Sequence, residues 1–248
     1  MRRALHAGLA LAALSIALPR PAAAEDLTIV STVNTPRGTT RTQTQYLSGS
    51  RLRMSGDERD TIVDLGSGKI TLLDNRRKEY SETTLVELRA FLDQMDAAMA
   101  GSPLFDRAIG ATASVAVEKG TSGRKVAGYD TEQHTLTMGE SMRMEVWTTA
   151  ALDPPVHYFD ARKVVYATMG PMGRRFDRLY DEMKKIKGFP LATSLDYRLR
   201  VSRRQVSTEA TEVRKGPIPD SVFAAPSDYK KVESPYGGGR TPRPRPSP

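Results

Sequence analysis

The chain has 248 residues, 39% of them hydrophobic and 27% charged, with no cysteine and a formal net charge of +8. Lack of cysteine excludes disulfides, thiolate metal sites, thiol nucleophiles and a lipid-modified N-terminal Cys. The charge is concentrated at the ends: setting aside Arg2, Arg3 and Arg20 at the front and Arg240, Arg243 and Arg245 at the back takes six from +8 and leaves +2 between them. That is too little to mark a nucleic-acid-binding face, and no nucleic-acid partner is expected.

The first 24 residues read as a cleavable export signal. Arg2 and Arg3 precede the apolar stretch Ala4 to Leu18, Pro19-Arg20-Pro21 breaks it, and Ala22-Ala23-Ala24 supplies the small residues of a cleavage site. Cleavage after Ala24 would leave Glu25 as the mature start of a periplasmic protein. The apolar stretch falls short of the roughly 20 residues needed to span a bilayer, and no later segment is apolar enough, so a membrane-spanning role is not expected.

Period-two patterns follow. Leu27 to Val33, Thr40 to Leu47, Leu52 with Met54, Thr61 to Leu65, Ile70 to Leu73 and Lys78 to Glu82 read as an antiparallel meander, with Gly66-Ser67-Gly68 as a hairpin turn. Thr83 or Thr84 can cap a helix running to Ala100, with Leu85, Leu88, Phe91, Leu92, Met95 and Met99 on one face. Strands are then expected at Thr112 to Glu118, Lys125 to Leu136, Met142 to Thr149 and Arg162 to Thr168. A second amphipathic helix is expected from Pro171 to Lys187, ended by Gly188, and two last strands at Leu191 to Val201 and Gln205 to Val213. About eleven strands and two helices make one α+β domain over 25–234, whose sheet must curl or close. Residues 235–248, rich in Gly, Pro and Arg, read as a structureless tail.

Catalytic signals are weak. His134 and His157 are the only histidines after the leader, and neither belongs to a metal-binding helix motif. Gly49-Ser50 and Gly66-Ser67-Gly68 lack the helix that follows a nucleophile elbow. The acid pairs Asp57/Glu58 and Asp181/Glu182 sit in polar runs. The chain is expected not to be an enzyme and to need no cofactor. Met138, Met142, Met144, Met169 and Met172 could offer thioethers to copper(I), yet Met also fills irregular apolar space, the reading preferred here.

Four segments carry a resemblance: Gly123 to Tyr129 (GRKVAGY), Glu145 to Trp147 (EVW), Gly188 to Leu191 (GFPL) and Ile218 to Tyr229 (IPDSVFAAPSDY). Their order and spacing resemble an uncharacterised family of exported proteins, itself similar to the lipoprotein-carrier fold shared by the outer-membrane lipoprotein chaperone and its receptor. The resemblance implies a half-open antiparallel β-barrel whose mouth is covered by the two amphipathic helices, with acyl chains held between sheet and helices. The carriers' barrel arginine has no evident counterpart, and a lipid-anchored receptor is excluded by the missing Cys.

The expected role is non-enzymatic binding of a lipid, a lipoprotein acyl chain or another amphiphile. The expected lining is Leu52, Met54, Ile62, Met142, Met144, Val146 and Leu199 from the sheet, with Phe91 and Met95 from the covering helix. A one-residue slip would invert any strand's faces. An alternative is an envelope interaction or stress protein that binds a protein partner through its surface, using the basic tail and Arg143, Arg198 and Arg200. Periplasmic copper binding stands third.

Overall fold

The structure, a computed structural model, describes residues 25–99, 114–140, 142–171, 173–199 and 202–237. The leader, the tail beyond Gly237 and Met172 lie outside that range, as does the side chain of Leu199. The elements in order are β1 (Leu27–Asn34), β2 (Thr40–Ser48), β3 (Arg51–Gly56), β4 (Arg59–Asp64), β5 (Lys69–Asp74), β6 (Glu79–Thr84) and α1 (Leu85–Met99). Then come β7 (Val115–Lys119), β8 (Arg124–Val126), β9 (Tyr129–Met138), β10 (Met142–Thr149), α2 (Tyr158–Ala167), α3 (Phe176–Met183), β11 (Phe189–Leu199), β12 (Ser202–Lys215) and β13 (Lys230–Lys231).

All strands join one 13-stranded sheet in the order β13-β6-β5-β4-β3-β2-β1-β12-β11-β10-β9-β7, with β8 paired to β9. Every ladder is antiparallel except β13 on β6. The expected class, α+β, holds. The sheet is open, with β13 and β7 at its ends, and the described residues include three α-helices rather than the two expected. No helix among the described residues is long and apolar enough to cross a membrane.

Alternation decides which face is buried. Directly opposed residues share a face, so the register runs Leu27–Leu47–Leu52–Val63–Ile70 across β1 to β5. On the far side, Leu195–Met144–Leu136 does the same across β11, β10 and β9. These residues form the inner face. Tyr158, Phe159, Ala161 and Val165 of α2 and Leu179, Tyr180 and Met183 of α3 pack on it and complete the main core.

Polar ties bind α2 to α3 and the residue after it: Lys163 pairs with Asp181, Arg162 donates to Tyr180 at 2.9 Å, and Lys184 donates to Asp160 at 3.0 Å. Arg174, in the short 3₁₀ turn before α3, reaches α1 by donating to Asp96 at 2.6 Å and Asp93 at 2.8 Å. The helices α1 and α2 share a smaller cluster of Ile70, Leu88 and Leu92, joined by Phe91, Val164 and Tyr236. Tyr236, expected to begin a structureless tail, instead packs edge-on against Phe91 at 5.2 Å and donates to the Thr168 carbonyl at 2.6 Å.

The start of α1 follows the expected capping rule. The Glu87 amide donates to Thr84 Oγ1 at 3.1 Å, and the Thr84 amide donates back to Glu87 Oε2 at 2.8 Å. Replacing Thr84 by Ala should cost about 1 kcal/mol of stability, read as a lowered urea midpoint with an unchanged slope.

The outer face is also covered on one half. The segment after β12 crosses β3 and β4 and ends as β13, with Lys230 and Val232 donating to the Lys78 and Tyr80 carbonyls, both at 2.8 Å. Beneath it lie Ile62, Asp60 and Leu73. Ile62 was expected on the lining face with Leu52. It pairs with Arg53 and Thr71 instead, which puts it on the opposite face. The inversion arises because β4 is buried on both sides, so apolarity there cannot mark a face.

Candidate functional site

A second difference from the sequence reading builds the site. Arg162 to Thr168 was expected to be a strand; Tyr158–Ala167 is a helix. Its buried residues Tyr158, Ala161, Arg162 and Val165 follow helical spacing, and Val164, Val165 and Tyr166 supply the strand-like composition. The helix therefore carries Arg162 over the sheet and buries it to 9% exposure.

Among the described residues, the Arg162 guanidinium hydrogen-bonds only to neutral groups. Nη2 donates to Tyr180 Oη at 2.9 Å and Tyr166 Oη at 3.1 Å, and Nη1 reaches Gln45 Oε1 at 3.4 Å and Met54 Sδ at 3.1 Å. The rings of Tyr166 and Tyr180 lie 5.2 and 5.6 Å from its central carbon. Its Nε–H is buried and finds no acceptor among the described residues. Burial works against the charge, but the oxygens of Tyr180, Tyr166 and Tyr158 outweigh it, and the group holds its proton more tightly than an ordinary arginine. Burial also raises the Tyr180 and Tyr158 hydroxyls, with Arg162 opposing, so both stay neutral donors. A buried cation without a counter-charge costs several kcal/mol.

Arg162 lines a cavity between the helices and the sheet, with Ile29, Ser31 and Gln45 on one wall, Tyr158, Tyr180 and Met183 above, and Leu191 to Thr193 on the other. Its volume is about 20 Å³, room for about one water molecule. As it stands, it holds no acyl chain; a longer ligand needs α2 and α3 to lift off the sheet together. Such a place can grip an anionic group by charge and a chain by apolar burial. It offers no paired acid and base.

None of the eight expected lining residues whose side chains are described bounds this cavity, although Met54 touches Arg162. Leu52, Met142, Met144 and Val146 are buried in the inner-face core beside it, as their alternation requires. Phe91 and Met95 are half-buried on α1; Phe91 belongs to the smaller cluster under Tyr236. Leu199 lies on β11 with its side chain outside the described set. Met138 faces Met142 across β9 and β10, while Met169 is exposed. Trp147 points outward with Arg124 over its ring at 4.5 Å. Among the described residues, no cluster of His, Asp or Glu is placed to hold a metal ion.

His134 faces inward opposite Val146, and its Nδ1 is buried without a hydrogen-bond partner among the described residues. Burial holds its pKa below the ordinary imidazole value; Glu132 opposes this and Lys119 assists it. The folded chain thus binds fewer protons there than the unfolded one, and stability falls as pH drops through the region just below that ordinary value. His134→Gln should shrink the loss of thermal stability between pH 7 and pH 5, as read by melting curves at both.

No curated protein sequence matches the chain. Among solved structures, it is similar to an uncharacterized conserved protein from Thermus thermophilus (TM-score 0.47, 6% identity, 86% of this chain and 92% of that one). It is also similar to the MucA/MucB complex of Pseudomonas aeruginosa (0.41, 12%), where it covers 86% of itself and 60% of the matched chain. A LolA superfamily protein from Nitrosomonas europaea matches at 0.30 and 7% identity, over 83% and 92% of the two chains. A family model matches residues 31–229, and the chain belongs to that family, described as a domain of unknown function, DUF4412.

Proposed function

We propose that this is a non-catalytic binding protein of the bacterial envelope that takes an amphiphile between its inner sheet face and the α2–α3 pair. The observation that carries the reading is the interior itself. A wide apolar sheet face, rich in the adaptable side chains Met54, Met138, Met142 and Met144, is covered by two helices that are also tied to one another, with Met183 of α3 facing the sheet. Burial of a chain there would contribute about 0.8 kcal/mol per methylene. The leader at residues 1–24 supports an exported location, and the likeness to lipoprotein carriers read from GRKVAGY, EVW, GFPL and the closing IPDSVFAAPSDY points the same way.

The test is native mass spectrometry of the protein purified from a periplasmic extract. A bound lipid-sized mass that leaves on denaturation is the expected result. A bare chain mass, together with no uptake of added dodecanoate or dodecanol, contradicts the reading.

A further inference from the structure

We infer that Arg162 is the receptor for a single carboxylate, the head of the amphiphile taken up beneath α2 and α3; this rests on the binding role proposed above. The cavity beside it places a buried cation next to neutral polar and apolar side chains. Arg162 is more than nine-tenths buried, lines the cavity, and has an Nε–H with no acceptor among the described residues. Its remaining contacts are phenols, an amide and a thioether, none of which carries negative charge. A buried guanidinium with no carboxylate against it among the described residues would be stabilised by an anionic ligand.

The chemistry narrows the ligand further. One cation in a buried site balances one negative charge; a dianionic phosphate would leave a charge uncompensated. The guanidinium edge and the nearby Tyr166 and Tyr180 hydroxyls, at 3.1 and 2.9 Å from Nη2, present several donors to a planar two-oxygen group. The apolar floor beside them, Ile29 and Leu191 with Met183 above, is where an attached chain would run. The carboxylate could instead belong to a small organic acid without a chain, and the experiment separates the two.

Binding of dodecanoate, dodecanol and acetate is measured calorimetrically on the wild-type chain and on Arg162→Gln and Arg162→Lys. Charge-assisted hydrogen bonds predict that dodecanoate binds at least about tenfold more tightly than dodecanol. That preference should vanish in Arg162→Gln and partly return in Arg162→Lys. As a guard against misfolding, Arg162→Met should melt no lower than the wild type without ligand, because it removes an uncompensated charge. Equal binding of dodecanoate and dodecanol by the wild type overturns the Arg162 assignment and leaves the amphiphile role standing. Arg162-dependent binding of acetate with no added affinity from the chain keeps the carboxylate site and overturns the amphiphile role. Binding of none of the three overturns both.

Discussion

Replacing Asp60 by Ala should destabilise the protein by about 3–5 kcal/mol, the penalty for leaving a buried charge without its partner. Asp60 is 2% exposed on the outer face of β4. Its carboxylate accepts from Arg53 Nε at 2.9 Å, Ser55 Oγ at 3.0 Å, the Gly56 amide at 3.2 Å and Asn75 Nδ2 at 2.9 Å. Arg53, with 17% of its side chain exposed, spends its other end on the Val222 carbonyl at 2.7 Å. Asn75 in turn accepts from the Tyr229 hydroxyl at 3.1 Å. One carboxylate thus organises the crossing segment as well as the β3–β4 hairpin. Asp60→Ala strands Arg53 under that segment. The double replacement Arg53→Met with Asp60→Leu should recover most of the loss, since an apolar pair leaves nothing unpaired. Urea denaturation of the single and double variants measures this, and limited proteolysis across residues 216–230 reports whether the crossing segment has come loose. A loss under about 1 kcal/mol, the range of exposed pairs, would contradict the account.

Phe189→Ala should cost a similar amount, about 3–5 kcal/mol, by opening a cavity at the centre of the core. Phe189 is fully buried, and its ring lies 4.8 Å from that of Tyr158 on α2. Its neighbours fix it there. Gly188 has φ of +92°, and a Cβ at that position would lie 2.3 Å from the Thr149 carbonyl oxygen, so only glycine brings β11 this close to β10. Pro190 sits opposite Thr148, beside the register shift in the β10–β11 ladder. Because Tyr158 roofs the cavity beside Arg162, Phe189→Ala should also admit small apolar molecules that the wild type excludes. Melting curves with and without added benzene check both: a lowered midpoint, partly restored by benzene, which should leave the wild-type midpoint unchanged. An unchanged midpoint would mean that Phe189 is not the core residue its burial implies.

Much of the sheet was legible because its strands alternate. Met142, Met144 and Val146 turn inward and Arg143, Glu145 and Trp147 outward, as the pattern in β10 requires. The GFPL segment was recognisable from residue types alone, though its reason, a glycine forced by close backbone approach, exists only in three dimensions. The site itself was not legible. Its central residue lies on a helix whose Val164-Val165-Tyr166 run favours a strand, and helical spacing at 158, 161, 162 and 165 was the signal that would have found it. A charged residue at a core position of that stripe reads as solvent-facing unless its burial is known. Ile62 was assigned to the wrong face because the closing segment, far later in the chain, covers the outer side of β4. Long-range covering of this kind leaves no local mark.

On the proposed reading, the ligand enters between the inner face and the α2–α3 pair. Photolabelling the folded protein with a dodecanoate carrying a terminal diazirine, followed by peptide mass spectrometry, tests that placement directly. Labels on the inner face of the core, at residues such as Met54, Met183 or Leu191, with loss of labelling in Arg162→Gln, are the predicted result. Labels confined to the outer face or to the exposed Val86, Val156 and Met169, indifferent to Arg162, would contradict it.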